Sequence, residues 1–231
     1  MNNMQPEGRE YIEALEAEFE QNANPELAQE QRAYLKNRFV HYGLKTPIRR
    51  EIQKPFLLKS YLPEKQIMLE IVRTLWDRPE REFHYFAQEL IFKYHRQFEP
   101  ADMEYFEYMI THQSWWDTVD FIATKLVGTF FKMYPDLIQT YTDKWLKSGN
   151  MWLQRTALLF QLKNKDKTDA QLLGHCIEYL IPSEEFFINK AIGWTLREYS
   201  KTNPDWVLDF VESHALSALS KKEALRLIFN S

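Results

Sequence analysis

Cysteine is almost missing from this chain: Cys176 is the only one in 231 residues. That excludes an internal disulfide, a cysteine-built zinc site and a four-cysteine iron–sulfur cluster. A lone thiol fits a reducing cytosol, which is the expected location. Glycine is scarce too. The six glycines, Gly8, Gly43, Gly128, Gly149, Gly174 and Gly193, never come closer together than 19 residues. Neither a G-x-G-x-x-G dinucleotide turn nor a P-loop can therefore be written, and the glycine hairpin of helix-hairpin-helix DNA enzymes is absent for the same reason. Valine occurs 6 times against 26 leucines. Branching at Cβ favours strands and leucine favours helices, so the bias points to an all-α chain. No apolar run reaches the roughly 18 residues that would suggest a membrane span. The polar stretch Met1–Glu13 has no apolar core of a secretory signal. The six histidines, His41, His84, His95, His112, His175 and His214, make no H-x-x-x-H or H-E-x-x-H pattern. No metal site and no cofactor are expected, and no serine or cysteine sits in the glycine elbow of a nucleophilic triad.

What is present is helical periodicity. Hydrophobic residues make up 45% and charged residues 27% of the chain, as in ordinary globular domains. Prolines recur near the starts of apolar-periodic stretches of about 10 to 18 residues. Thr46-Pro47 reads as N-cap followed by first helical residue. The pattern predicts twelve or thirteen helices in one domain spanning residues 1–231. Aligning Ala87, Ala123, Ala157 and Ala191 gives steps of 36, 34 and 34 residues. Large apolar residues stand four positions earlier (Phe83, Val119, Leu153, Phe187) and three positions later (Leu90, Leu126, Phe160, Trp194). A small residue so flanked is one buried helix face. Repetition every 34 to 36 residues predicts an α-solenoid of stacked helix pairs, with Ala224 marking a last, atypical repeat.

The net charge of −4 and pI of about 5.9 average over unlike parts. Residues 1–31 hold eight acids and one base, whereas residues 32–59 hold eight bases and one acid. A second basic cluster comprises Lys144, Lys147, Arg155, Lys163, Lys165 and Lys167. Such clusters are either solvated faces or anchor points for phosphates.

Three motifs concentrate chemically able residues. In Ser114-Trp115-Trp116-Asp117-Thr118-Val119-Asp120, Ser114 or Asp117 can cap the following helix, and Trp116 and Asp120 share one helical face. Asp120 falls at the edge of the buried stripe, where a carboxylate is partly desolvated and needs a partner. It is either a structural carboxylate or a chemical one. Arg155, in Asn150–Arg155, occupies the neighbouring slot of the next repeat. It either pairs with Asp120 within the stack or faces the same groove. In Lys190–Tyr199, Trp194 replaces the leucines and phenylalanine of the other repeats. Gly193 beside it either accommodates the indole's bulk or lets something approach closely.

Together SWWDTVD (114–120), WLQR (152–155) and AIGWTLREYSKTNP (191–204) resemble the bacterial AlkD-type DNA alkylation repair glycosylases. RAYLKNRF (32–39) and WDRPEREF (76–83) extend the resemblance over nearly the whole chain. The resemblance implies a curved stack of HEAT-like helix pairs. It also implies a glycosylase that removes N3- and N7-alkylated purines from double-stranded DNA without flipping the base. No lysine is placed to argue for lyase chemistry, so a monofunctional enzyme is expected, and no obligate protein partner is evident. By motif, the catalytic aspartate corresponds to Asp120, the two lesion-side tryptophans to Trp116 and Trp194, and the groove arginine, holding a phosphate, to Arg155. Motif position and charge add Tyr34, Arg50, Lys163 and Arg197 as DNA-binding residues. Two other functions fit an α-solenoid: a non-catalytic HEAT-like module binding DNA or structured RNA, and a protein-interaction scaffold. A carboxylate set between exposed indoles is the feature that neither would need.

Overall fold

The computed structural model describes residues 4–229. The first three residues of the Met1–Glu13 stretch, and the last two of the expected 1–231 domain, lie outside that range. The described residues form fourteen α-helices and no strand; a single isolated bridge joins Val40 and Glu80. The chain divides into two compact units, one ending at Glu99 and one beginning at Pro100.

The first unit holds α1 (Pro6–Gln21), α2 (Pro25–Tyr34), α3 (Thr46–Gln53), α4 (Lys65–Trp76) and α5 (Arg81–Lys93). Its core is set by the four-residue steps of α1: Tyr11, Leu15 and Phe19 are buried, α1 packs on α4, and the rings of Tyr11 and Phe19 meet Phe86 and Phe83 of α5 with centroids 6.2 and 5.6 Å apart. Asn24 caps α2 by accepting from the Leu27 amide at 3.1 Å, with Pro25 as first helical residue. Thr46, by contrast, does not cap. α3 begins at Thr46 itself after Lys45, with no side-chain cap. The turn before it is held from a distance instead. The buried Glu82 carboxylate accepts from the amides of Tyr42, Gly43 and Leu44 at 3.1, 3.0 and 3.2 Å. Gly43 has φ of +88° there, and a Cβ would meet the Asn24 carbonyl, so only glycine fits.

The second unit holds α6 (Met103–Thr111), α7 (Trp116–Phe121), α8 (Gly128–Met133), α9 (Ile138–Lys147), α10 (Met151–Leu159), α11 (Ala170–Leu180), α12 (Phe186–Tyr199), α13 (Pro204–Ser213) and α14 (Ala218–Ala224). α7 and α8 are continuous through a π turn at Ile122–Val127, which leaves thirteen separate rods among the described residues. Asn150, Asp169, Asn203 and Ser217 cap α10, α11, α13 and α14 through side-chain oxygens. The α7 rod has no such cap. The residue before it is Trp115, and the Ser114 hydroxyl donates backwards to the Ile110 carbonyl at 2.6 Å.

The repeat arithmetic maps onto this packing. The alanine-bearing helices of the second unit lie side by side in chain order: α7 with its π turn against α10, α10 against α12, α12 against α14. α9 and α11 pack together behind them. The fold is therefore a solenoid-like, all-α stack. Ala87, Ala123, Ala157 and Ala191 are all buried, as are Phe83, Val119, Leu153, Leu90, Leu126 and Phe160. Only the last repeat departs: Phe187 and Trp194 are half-exposed.

Candidate functional site

Asp120 ends the first turns of the α7 rod, four residues after Trp116, and both are half-exposed. Arg155 rises from the middle of α10 and meets Asp120 side-on. Its Nε donates to Asp120 Oδ1 at 2.8 Å and Nη2 to Oδ2 at 2.9 Å. The remaining terminal nitrogen, Nη1, donates to the Phe187 carbonyl of α12 at 2.5 Å. One guanidinium thus ties three successive repeat helices, and its planar fork makes the two-point contact a lysine could not. Beneath the pair, Trp115, Trp152 and Phe187 form an aromatic cluster with ring centroids 5.0 to 5.7 Å apart. It comes from the N-terminal ends of the same three rods.

The electrostatics of Asp120 are opposed. Burial pushes its carboxyl above the ordinary carboxylate value, the Arg155 guanidinium pulls it down, and the nearby Asp117 charge pushes it up again; the net direction is upward. The Asp120 side chain keeps 18% of its surface in solvent, whereas Arg155 keeps 4%. The carboxylate is therefore the accessible member of the pair.

The other expected site residues divide into three groups. Trp194 stands half-exposed on α12, in the same unit as Asp120 and Trp116. The glycine beside it serves packing: a Cβ on Gly193 would lie 2.6 Å from Glu223 Cβ and 2.9 Å from the Ser220 carbonyl, so α14 makes the close approach there. Arg155 does not present a free guanidinium for a phosphate, because its Nε and both terminal nitrogens are hydrogen-bonded to Asp120 and Phe187. Arg197 is likewise held internally. It pairs with Glu223, which also receives Lys190 at 2.6 Å and has Arg226 3.9 Å away. The second basic cluster thins in the same way. Lys144 is bound by Glu107 at 2.7 Å, while Lys147, Lys163, Lys165 and Lys167 are exposed with no ion pair among the described residues. In the first unit, Tyr34 is exposed at the end of α2, and Arg50, 62% exposed, lies 3.7 Å from Glu89. Arg49 is buried against Glu89 and Gln53, and Arg32, Lys36, Lys45 and Lys59 remain exposed without an ion pair among the described residues.

Sequence reasoning missed Glu223 as the clamp of three cations, the Phe187 carbonyl as a third support for Arg155, and the π turn. For the first a signal existed. Asp120–Arg155, Glu107–Lys144 and Lys190–Glu223 are 35, 37 and 33 residues apart, so opposite charges one repeat apart pair across neighbouring rods. No group of histidine, cysteine, aspartate and glutamate among the described residues could hold a metal ion, and no described helix is long and apolar enough to cross a membrane.

The fold and this site define a helical-repeat protein with an arginine-braced carboxylate beside a tryptophan. Residues 15–228 match the family described as DNA alkylation repair enzyme, and the chain belongs to that family. Among solved structures, the chain is similar to a "Predicted DNA alkylation repair enzyme from Enterococcus faecalis", with a TM-score of 0.84 and 33% identity, over 90% of this chain and 98% of that one. No curated protein sequence matches the chain.

Proposed function

We propose that this protein is a monofunctional DNA glycosylase that hydrolyses the N-glycosidic bond of cationic N3- and N7-alkylpurines in double-stranded DNA. The observation that carries this reading is the half-open Asp120 carboxylate. It is braced at both oxygens by a buried arginine and set four residues from a half-exposed indole. An N3- or N7-alkylpurine already bears a positive charge, so its base departs neutral with the electron pair of the C1′–N bond. No general acid is needed, in contrast to ordinary glycoside hydrolysis with two carboxylates. A single carboxylate has two tasks: it stabilises the oxocarbenium-like sugar, and it accepts the proton of the water whose oxygen bonds to C1′. Asp120 is assigned both. Arg155 acts through Asp120, orienting it and holding it ionised against its burial. Trp116 and Trp194 offer indole faces, which attract a cation by about 0.5–2 kcal/mol depending on desolvation.

Phosphate contacts then fall to the more exposed polar side chains. In the second unit Lys163 is joined by Lys165 and Lys167 on the loop after α10, and Arg50 and Tyr34 remain candidates in the first. Arg155 and Arg197, given to phosphates on motif grounds, are reassigned to internal support.

The test is release of base from duplex DNA containing N7-methylguanine or N3-methyladenine. The parent protein should release base, and Asp120→Asn should bind the same DNA but turn over at least about a hundredfold more slowly, as for loss of a central electrostatic group. Equal rates would remove Asp120 from the mechanism. DNA binding by the parent without base release would favour a non-catalytic module, for which the Asp120–Arg155 pair is structural.

A further inference from the structure

Two contacts tie the α7–α8 rod to α10. At one end Asp120 meets Arg155. At the other, Gly128 lies against the Phe160 backbone, so closely that a Cβ would stand 2.8 Å from the Phe160 carbonyl oxygen. Both positions must face the same neighbour. On a regular α-helix, at 100° per residue, Asp120 and Gly128 point about 80° apart. The π turn between them removes the conflict. Its signature is the Gly128 amide donating to the Ala123 carbonyl five residues back. One residue is absorbed, the effective separation becomes seven, and the two positions come within about 20° of each other.

The burial pattern gives the same phase independently. Thr118, Val119, Ile122, Ala123, Leu126, Val127, Gly128, Phe130 and Phe131 are all buried. On an unbroken helix they would cover about 280° of the circumference, more than one face can bury; with one residue absorbed near Thr124 they cover about 200°. Within the turn, the Thr124 hydroxyl donates to the Asp120 carbonyl at 2.7 Å, on the residue that carries the candidate carboxylate.

We propose that the π turn at Ile122–Val127 is the positioning device of the site. It rotates Asp120 toward Arg155 while Gly128 stays seated on Phe160, and Thr124 is its positioning residue. This rests on the glycosylase reading for its kinetic consequence and not for its geometry.

The experiment inserts one alanine after Thr124, a residue that the single π turn does not absorb, and compares the variant with Thr124→Val and Thr124→Ser. The insertion should keep the parental helical circular dichroism and bind lesion DNA within about threefold of the parent. Its kcat should fall to the level of Asp120→Asn, because the carboxylate is turned by about 100° relative to Gly128. A folded insertion variant with kcat within threefold of the parent overturns the proposal. Thr124→Val, which keeps the side-chain volume, should lower kcat about tenfold at unchanged KM, the scale of one lost hydrogen bond, with Thr124→Ser restoring it. Parental kcat in Thr124→Val overturns the proposal even if the insertion variant does not fold. If the parent protein releases no base, the glycosylase reading fails separately. The positioning claim is then decided by NMR titration of the Asp120 carboxyl: an upward shift in Thr124→Val sustains it, and an unchanged titration refutes it.

Discussion

Replacing Arg155 separates its two possible roles, because an internal brace and a phosphate contact predict different numbers. Arg155→Met keeps the apolar stem and removes the fork. It leaves the mostly buried Asp120 without its two hydrogen bonds and the Phe187 carbonyl without its donor. Removing one partner of a buried pair costs about 3–5 kcal/mol. Because Asp120 keeps 18% of its surface in solvent and can take up a proton instead, the lower end, about 3 kcal/mol, is expected. For a chain of 231 residues that is a fall in Tm of about 6–12 °C, within the stability of an ordinary domain, so the variant remains folded for assay. A double-mutant cycle of Arg155→Met with Asp120→Asn, followed by urea denaturation, isolates the pair. The expected coupling is about 2–3 kcal/mol, against 0.2–1 for an exposed ion pair. A coupling below about 0.5 kcal/mol would refute the brace. The slope of log affinity for DNA against log salt is the second readout. A brace leaves it unchanged, whereas a phosphate contact lowers it by about one.

The same geometry makes four further predictions. The acid limb of base release should lie above the ordinary aspartate value, since the carboxyl of Asp120 is pushed up and only its ionised form serves the reaction; Arg155→Met should move that limb higher still, and a limb at or below the ordinary value would contradict the assignment. Stability runs the other way: a raised folded-state pKa stabilises most at low pH and that contribution is lost as pH rises through it, so Asp120→Asn should gain stability relative to the parent on passing from pH 4 to pH 7, as followed by thermal melts. Combined Lys163→Ala, Lys165→Ala and Lys167→Ala should flatten the salt dependence of DNA binding by up to about three in slope, whereas Arg197→Ala should cost stability and leave the slope alone; the reverse result would return Arg197 to the interface. Gly193→Ala should destabilise by about 1–3 kcal/mol, because α14 must retreat from a Cβ 2.6 Å from Glu223; a change under about 0.5 kcal/mol in urea would show that α14 yields freely.

The fold was readable because one spacing carried it. Ala87, Ala123, Ala157 and Ala191 mark a buried face whose flanking positions obey helical geometry, and burial at those positions follows. The site was readable as residue types, not as bonds. Trp116, Asp120 and Trp194 are half-exposed in one unit. The role of Arg155 depended on the direction of a guanidinium, and two readings of its slot, a pair in the stack or a groove cation, were equally compatible with the sequence. Net charge misled in a related way. Eight cations between residues 32 and 59 count equally in composition, yet Arg49 is buried on Glu89 while Arg32, Lys36, Lys45 and Lys59 stay exposed and without an ion pair among the described residues. Pairing depends on which acid lies one repeat away, and only the folded stack fixes that.

The π turn shows why the last step was out of reach. A period of 3.6 residues assigns Asp120 and Gly128 to different faces, and nothing in the composition of 122–127 marks a place where the ladder opens. Each neighbouring requirement is nonetheless local: a carboxylate matched to a guanidinium, a glycine matched to a carbonyl, a buried stripe kept to one face. A regular helix satisfies any of them singly and not all together. The register shift is therefore a consequence of the stack imposing two contacts on one rod. A register error at this point would turn the carboxylate away from its arginine while the helix content of the chain stayed the same. Activity should accordingly be more sensitive than stability to a one-residue insertion between Asp120 and Gly128, and less sensitive to the same change placed after Gly128.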